Sequence, residues 1–162
     1  MSIDDDIALL EQVPIFAVLS HEALRVIAIG SESRALQQGE VLFREGEKGD
    51  CGYVVEEGAL RAVRLSRRAS PVMLERGTLI GELSLLTETR RPTTVTAAEP
   101  SSVMRIPRPL FVKMLQGYPE VAEQLRRIMI ERSERLAEEL GTVRHALDSD
   151  DKAQPSGGKR KD

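Results

Sequence analysis

Glycine residues divide the middle of the chain into short segments of alternating character. Apolar residues alternate within 41–43 and within 53–55, and Gly46 and Gly58 follow these stretches. Such alternation is typical of strands with one buried face, and glycine is readily accepted in the turns between them. Further β-rich segments follow at 60–65, 72–74, 94–97 and 103–106. Several short strands at near-regular spacing favour a small antiparallel barrel or roll over a parallel sheet.

Helical patterns flank these strands. Three aspartates at 4–6 precede an apolar stretch, as the helix dipole favours. Ser20 is suited to cap a second helix, which we expect Gly30 to end in the left-handed conformation. Pro109 and Pro119 each suit the first turn of a later helix. The sequence therefore predicts an α+β fold, an antiparallel, jelly-roll-like β-roll flanked by N-terminal helices and a long C-terminal helix.

We expect one domain over residues 1–147, with the roll at about 32–107 and the long helix at about 119–146. The length of 162 residues is sufficient for one self-supporting core. From 148 to 162 the composition changes to Asp, Lys, Ser, Gly and Pro, which is typical of a disordered tail.

Composition argues against several function classes. A formal net charge of -3 disfavours a general nucleic-acid binder, and no apolar run is long enough to span a membrane. The first residues are acidic where a secretory signal is basic, and the single Cys51 cannot form an internal disulfide, so we expect a cytoplasmic protein. Cys51 fits a small buried core residue better than a reactive thiol. No metal-ligand or nucleophile–base pattern is visible, so we expect no enzyme activity, metal or cofactor.

The segment from Gly81 to Arg91 combines groups that suit a nucleotide phosphate. Gly81 lets the backbone approach a ligand, and a short helix opening at Glu82 and Leu83 presents free N–H groups beside it. The Glu82 carboxylate can accept hydrogen bonds from sugar hydroxyls. Arg91 offers a planar fork of donors that matches phosphate. These residues predict a phosphate pocket.

Simpler interpretations of the same residues remain open. Glu82 also suits a helix N-terminus, where its charge complements the dipole. Arg91 also suits a solvated position or a surface ion pair with Glu88, and its neighbour Arg90 is expected to be solvated.

The segment resembles the phosphate-binding cassette of the cyclic-nucleotide-binding domain family. This β-roll is shared by bacterial catabolite activators, regulatory subunits of cyclic-AMP-dependent kinase and cyclic-nucleotide-gated channels. The resemblance covers about residues 9–140 and includes the glycine-rich hairpins at 41–58. It implies that Gly81 and the amides of Glu82 and Leu83 face the cyclic phosphate, that Glu82 holds the ribose 2′-hydroxyl and that Arg91 pairs with the phosphate. It also implies that the helix from Pro119 is a lid over the base and a frequent dimer interface.

The chain departs from the family pattern at three positions. Pro92 stands where the family usually has Ala, Ser or Thr, and proline has no backbone N–H for the phosphate. We therefore consider the hydroxyl of Thr93 or of Thr94 as a replacement donor. Because cyclic-GMP-preferring channels often have a Thr hydroxyl where Pro92 lies, cyclic AMP is favoured over cyclic GMP. The lid positions align with Leu136 and Ala137, which offer no side-chain hydrogen bond to the base.

Two functions follow as alternatives. The first is a regulatory module that senses a cyclic mononucleotide and signals through its C-terminal helix, either to an unknown protein partner or to a weak homodimer. The second is a degenerate roll that binds a protein and no nucleotide, which Pro92, Leu136 and Ala137 favour. No helix-turn-helix fits after Leu147, so we expect no DNA binding.

Overall fold

Ten short strands, all paired antiparallel, run through residues 2–66 and 70–131, the part of the chain that the computed structural model describes. The predicted short strands are present, and glycines with positive φ at Gly46 and Gly58 turn the chain after β2 and β4. The strands are Glu32–Leu36 (β1), Val41–Phe43 (β2), Lys48–Gly49 (β3), Cys51–Glu57 (β4), Ala59–Val63 (β5), Val72–Glu75 (β6), Leu79–Ile80 (β7), Thr89–Arg90 (β8), Thr94–Ala97 (β9) and Ser101–Pro107 (β10).

The strands form two four-stranded sheets and one short ladder. The first sheet has the order β1-β10-β4-β7, the second has the order β2-β9-β5-β6, and β3 pairs with β8. Neighbours that are distant in sequence, such as β1 and β10, are what a rolled-up sheet requires, so the predicted α+β roll is confirmed. Apolar side chains from both sheets pack into one core, which comprises Leu36, Leu42, Phe43, Cys51, Tyr53, Val55, Leu60, Ile80, Val95, Ala97 and Val103.

Helices precede and follow the strands along the chain. The side-chain oxygen of Ser20 accepts the Ala23 amide at 3.1 Å, as predicted for an N-cap. Ser2 caps the first helix and forms a capping box with Asp5. The α-helices are Ile3–Glu11 (α1), His21–Gly30 (α2) and Arg108–Gln116 (α3), and 3₁₀ helices cover Pro14–Val18 and Glu82–Leu85.

Two local predictions are wrong. Gly30 ends α2 without adopting a positive φ, and its lack of a side chain serves a close approach instead, because a Cβ there would lie 2.5 Å from Leu110 Cδ1 of α3. Leu65 lies in a turn beyond β5 and is 70% exposed. The Glu45 carboxylate accepts the amides of Leu65 at 2.6 Å and Ser66 at 3.3 Å, and these bonds hold the segment in the turn.

The chain divides into two compact units, Met1–Leu125 and Arg126–Asp162. A further helix begins at 119, and its described part extends to 131. The predicted remainder of the lid helix with Leu136 and Ala137, and the predicted tail at 148–162, lie outside the described residues. No described helix is both long and apolar enough to cross a membrane.

Candidate functional site

The short 3₁₀ helix after β7 begins at a glycine with unusual backbone geometry. Gly81 has φ 76° and ψ 42°, a left-handed conformation that glycine adopts with little cost. The helix starts at Glu82, and the first amides of any helix have no preceding carbonyl to bond within the helix. Leu85 is fully buried, and a Cβ on Gly52 would lie 3.0 Å from its side chain, so the helix is packed closely against β4.

Arg91 lies beside this helix, directly after β8. Its backbone is held on both sides, because its amide donates to Glu47 O at 2.7 Å and its carbonyl accepts the Gly46 amide at 2.8 Å. The residue is only 4% exposed. Its Nη2 donates to the Cys51 carbonyl at 2.9 Å, and its Nη1 lies 3.5 Å from Ser84 Oγ. The guanidinium is therefore inside the roll.

Two glycines make the room that this guanidinium occupies. A Cβ on Gly81 would collide with Nη1 of Arg91, and a Cβ on Gly49 would lie 2.9 Å from its Cζ. The structure thus brings Gly81 and Arg91 into direct contact. Any side chain at either glycine would displace the guanidinium.

Aromatic rings form another wall around Arg91. Its Cζ lies 4.3 Å from the centroid of the Phe43 ring and 5.7 Å from that of Tyr53, within the range of cation–π attraction. Burial, together with a hydrogen bond to Cys51, raises the pKa of Tyr53 to about 12. Tyr53 is therefore neutral at physiological pH and offers the guanidinium a π face rather than a negative charge.

None of the ion pairs among residues 2–66 and 70–131 involves Arg91. Glu88 pairs with Lys48 at 3.6 Å, so the interpretation of Arg91 as a surface partner of Glu88 is wrong. Arg90 is exposed, as predicted, and donates to Gly46 O at 3.1 Å. Burying a guanidinium without a carboxylate is costly, and carbonyl and π contacts offset only part of that cost. Such a group is suited to pair with an anionic ligand.

The other predicted site residues differ in burial. Glu82 and Thr93 are half-buried, and Leu83 is 37% exposed. Pro92 is exposed, and its carbonyl accepts a hydrogen bond from Arg64 Nε at 3.3 Å. Within the described ranges no group of side chains is arranged to hold a metal ion.

Sequence reasoning did not assign Phe43, Cys51, Tyr53 and Ser84 to the site. The alternation in β2 and β4 did indicate a buried face for Phe43 and Tyr53, and a buried arginine nearby would have made them candidates for a cation–π wall. Cys51 contacts Arg91 through its backbone carbonyl at 2.9 Å, which has no signature in the sequence, and through its Sγ at 3.5 Å. Cys51 itself is a fully buried free cysteine, as predicted.

A family model described as the cyclic nucleotide-binding domain matches residues 33–118, more than half of the chain. The chain belongs to the cyclic nucleotide-binding domain family. The matched range contains both β-sheets apart from the first residue of β1, and it contains the whole segment from Gly81 to Arg91. The family resemblance inferred from the glycine-rich hairpins and the cassette is therefore confirmed.

Relatives of this cyclic nucleotide-binding domain have varied architectures. A solved cyclic nucleotide-binding-like protein from Brucella abortus is 34% identical, with a TM-score of 0.63 over 70% of this chain and 99% of that one. A cyclic nucleotide-gated potassium channel from Rhizobium etli is 32% identical over 124 residues, 76% of this chain and 34% of the channel. The lysophospholipase NTE1 of Chaetomium globosum is 31% identical over 115 residues, 68% of this chain. This chain spans only 8% of that lysophospholipase.

Proposed function

We propose that this domain is a regulatory sensor of a cyclic mononucleotide, with the cyclic phosphate bound between Arg91 and the start of the 3₁₀ helix. One observation carries the proposal. The Arg91 guanidinium is 4% exposed, contacts the left-handed Gly81 and takes part in none of the ion pairs among the described residues. A phosphate oxygen at this position would neutralise the buried charge and accept a bond from the fork of donors.

The charge of the site favours a cyclic phosphate over a phosphate monoester. A cyclic phosphodiester carries one negative charge, which one guanidinium balances. A phosphate monoester carries about −1.5 to −2 at neutral pH, so a second charge would be buried without compensation. Of the nearby arginines, Arg105 already pairs with Asp50 at 3.4 Å, Arg90 is exposed, and Arg108 donates its Nε and Nη2 to the Ser84 and Gly49 carbonyls.

The sugar and base contacts follow from the family resemblance. Glu82, at the first position of the 3₁₀ helix, would accept the ribose 2′-hydroxyl, and Gly81 with the amides of Glu82 and Leu83 would face the phosphate. Pro92 has no hydroxyl for a guanine base, which favours cyclic AMP over cyclic GMP. Thr93 is close enough in sequence to contribute a hydroxyl.

The output would be a shift between two states of the C-terminal helix that begins at 119. A ligand can shift such an equilibrium only as far as it binds one state more tightly than the other. The signal would pass to a protein partner or to a second copy of the chain.

Isothermal titration calorimetry with cyclic AMP, cyclic GMP and 5′-AMP tests this function. We expect binding of cyclic AMP, weaker binding of cyclic GMP and no binding of 5′-AMP. A folded protein, verified by circular dichroism, that binds neither cyclic nucleotide would refute the proposal.

One observation favours a second function. Pro92 removes a backbone N–H from the cassette, as expected of a roll that has lost its nucleotide and serves as a protein-interaction module. The same titration separates the two functions, because the interaction module would show no heat with either cyclic nucleotide.

A further inference from the structure

Arg108 stands at the first position of α3 between two prolines. Pro107 is the N-cap of the helix, and Pro109 follows within its first turn. The proline rings fix φ at residues 107 and 109, so the backbone on both sides of Arg108 has little freedom. Its backbone amide donates to the Asp50 carbonyl at 3.0 Å. Residue 108 is thereby fixed to the turn between β3 and β4.

The Arg108 side chain spans two further segments of the roll. Its Nε donates to the Ser84 carbonyl in the 3₁₀ helix at 2.8 Å, and its Nη2 donates to the Gly49 carbonyl at the end of β3. A guanidinium can hold two acceptors in different directions at once, which a lysine ammonium on a flexible stem does poorly. Arg108 therefore ties α3 to both segments through one rigid group.

These two segments are the ones that Arg91 contacts from within the site. Ser84 Oγ lies 3.5 Å from Arg91 Nη1 and 2.6 Å from Thr89 Oγ1. The Cα of Gly49 is close to the Arg91 guanidinium, since a Cβ there would lie 2.9 Å from its Cζ. Gly49 and Ser84 thus form a thin wall, with Arg91 against one side and Arg108 bonded to its carbonyls.

We propose that Arg108 is a positioning residue that couples the Arg91 site to α3, so that occupation of the site changes how firmly α3 is held. The peptide planes of Gly49 and Ser84 are rigid, so a displacement imposed by Arg91 moves the carbonyls to which Arg108 is bonded. With α3 continuing through Gly117 towards the helix at 119, Arg108 lies on the route from the site to the C-terminal segment. That the ligand is a cyclic mononucleotide rests on the proposed function. The coupling between Arg91 and α3 does not.

Hydrogen exchange of the α3 amides, with and without saturating cyclic AMP, tests the coupling. The variants are Arg108→Lys and Arg108→Gln, and the control is Lys113→Gln, which changes an exposed residue of the same helix. In wild type and in Lys113→Gln we expect cyclic AMP to change exchange at 110–116 by about fivefold or more. The Arg108 variants should bind cyclic AMP within about fivefold of wild type, yet show little change at 110–116.

Either of two results would overturn the proposal. One is an unchanged response of α3 in both Arg108 variants. The other is a loss of affinity as large as that of Arg91→Gln, which would make Arg108 part of the binding framework rather than the link behind it.

Hydrogen exchange measured without any ligand also tests the coupling between Arg91 and α3, even if no nucleotide binds. Arg91→Gln alone should change exchange at 110–116, and it should not do so when combined with Arg108→Lys. No effect of Arg91→Gln on α3, or the same effect in both backgrounds, would refute the coupling. Failure of the proposed function would instead appear as absent heat with both cyclic nucleotides.

Discussion

Two consecutive arginines, Arg90 and Arg91, lie in opposite environments. Arg90 is exposed at the end of β8, whereas Arg91 is buried among Phe43, Tyr53 and Cys51. Successive residues of an extended chain point to opposite faces, so neighbours of identical chemistry can have unrelated roles. Substitution of Arg90 is therefore a matched control for substitution of Arg91 in the proposed anion site.

Arg91→Ala should weaken cyclic nucleotide binding by about 2–4 kcal/mol, because it removes the buried fork of donors that faces the phosphate. Arg90→Ala should cost less than about 0.5 kcal/mol, since a solvated charge is screened by salt. Calorimetry on both variants measures the difference. Equal losses would show that Arg91 has no special role.

Pro92 raises the question of which group replaces its missing amide. The Arg91 amide is already bonded to Glu47 O at 2.7 Å, and Thr94 Oγ1 accepts the Glu45 amide at 2.9 Å. Accepting that bond leaves the Thr94 O–H available to donate, so the hydroxyls of Thr93 and Thr94 are both candidates for the replacement donor.

Pro92→Ala should tighten cyclic nucleotide binding by about tenfold or more, because a hydrogen bond to a charged oxygen contributes about 1.5–3 kcal/mol. It should also lower the melting temperature slightly, since proline stiffens the unfolded chain. If Thr93 supplies the donor instead, Thr93→Val should weaken binding by the wild-type protein. Unchanged affinity in both variants would mean that the phosphate does not bind beside Pro92.

At the level of elements, the 3₁₀ helix Glu82–Leu85 presents its start to the Arg91 guanidinium. Its position depends on Gly81, which supplies both the left-handed turn and the space for Nη1. Gly39 has a similar φ of 85° but no atom within 4 Å of a Cβ placed on it. Comparing substitutions at Gly81 and Gly39 therefore distinguishes the effect of a strained backbone from the effect of displacing Arg91.

Gly39→Ala should lower the free energy of unfolding by about 1–2 kcal/mol, the cost of a left-handed alanine, and Gly81→Ala should lower it by at least that much. Only Gly81→Ala should also abolish cyclic nucleotide binding, because its methyl group displaces Arg91. Denaturant unfolding and calorimetry measure the two effects. If Gly81→Ala binds as well as Gly39→Ala, the guanidinium is not held where the site requires it.

Helices and strands with a local sequence signal were predictable. Strands that depend on pairing with a neighbouring strand were not. The cap at Ser20 and the alternating strands carry local signals. β1 has four exposed residues out of five and no alternation, and it is a strand because β10 provides antiparallel hydrogen bonds along it. β3, β7 and β8 have two residues each, too few to establish any period.

The same distinction applies to the site. Gly81 and Arg91 were identifiable because glycine and arginine at this spacing have a chemical meaning in the sequence itself. The bonds from Arg91 to Cys51 O and from Arg108 to Ser84 O end on backbone carbonyls, which every residue possesses. Such contacts depend on the folded path of the chain and leave no trace in residue identity.

At the scale of the whole molecule, the long C-terminal segment is where a signal would leave the domain. The predicted apolar stripe of its helix comprises Val121, Leu125, Ile128, Met129, Leu136 and Leu140. Within the first compact unit, Ala122 and Leu125 of this segment are buried. Arg132 and Ser133 interrupt the stripe, so the apolar contact surface between two copies, the seam, would be discontinuous.

We therefore expect a weak homodimer whose population changes when cyclic AMP binds, because a ligand that favours one state of this helix also favours the assembly of that state. Light scattering across a concentration series, with and without nucleotide, measures the average mass. Leu136→Glu should shift the equilibrium to monomer by placing a charge in the seam. Glu138→Gln should leave it unchanged, since two residues along a helix correspond to about 200° around its axis and so to the opposite face. A strict monomer under all conditions would refute the dimer, and equal effects of the two substitutions would show that the two copies do not pair along the predicted stripe.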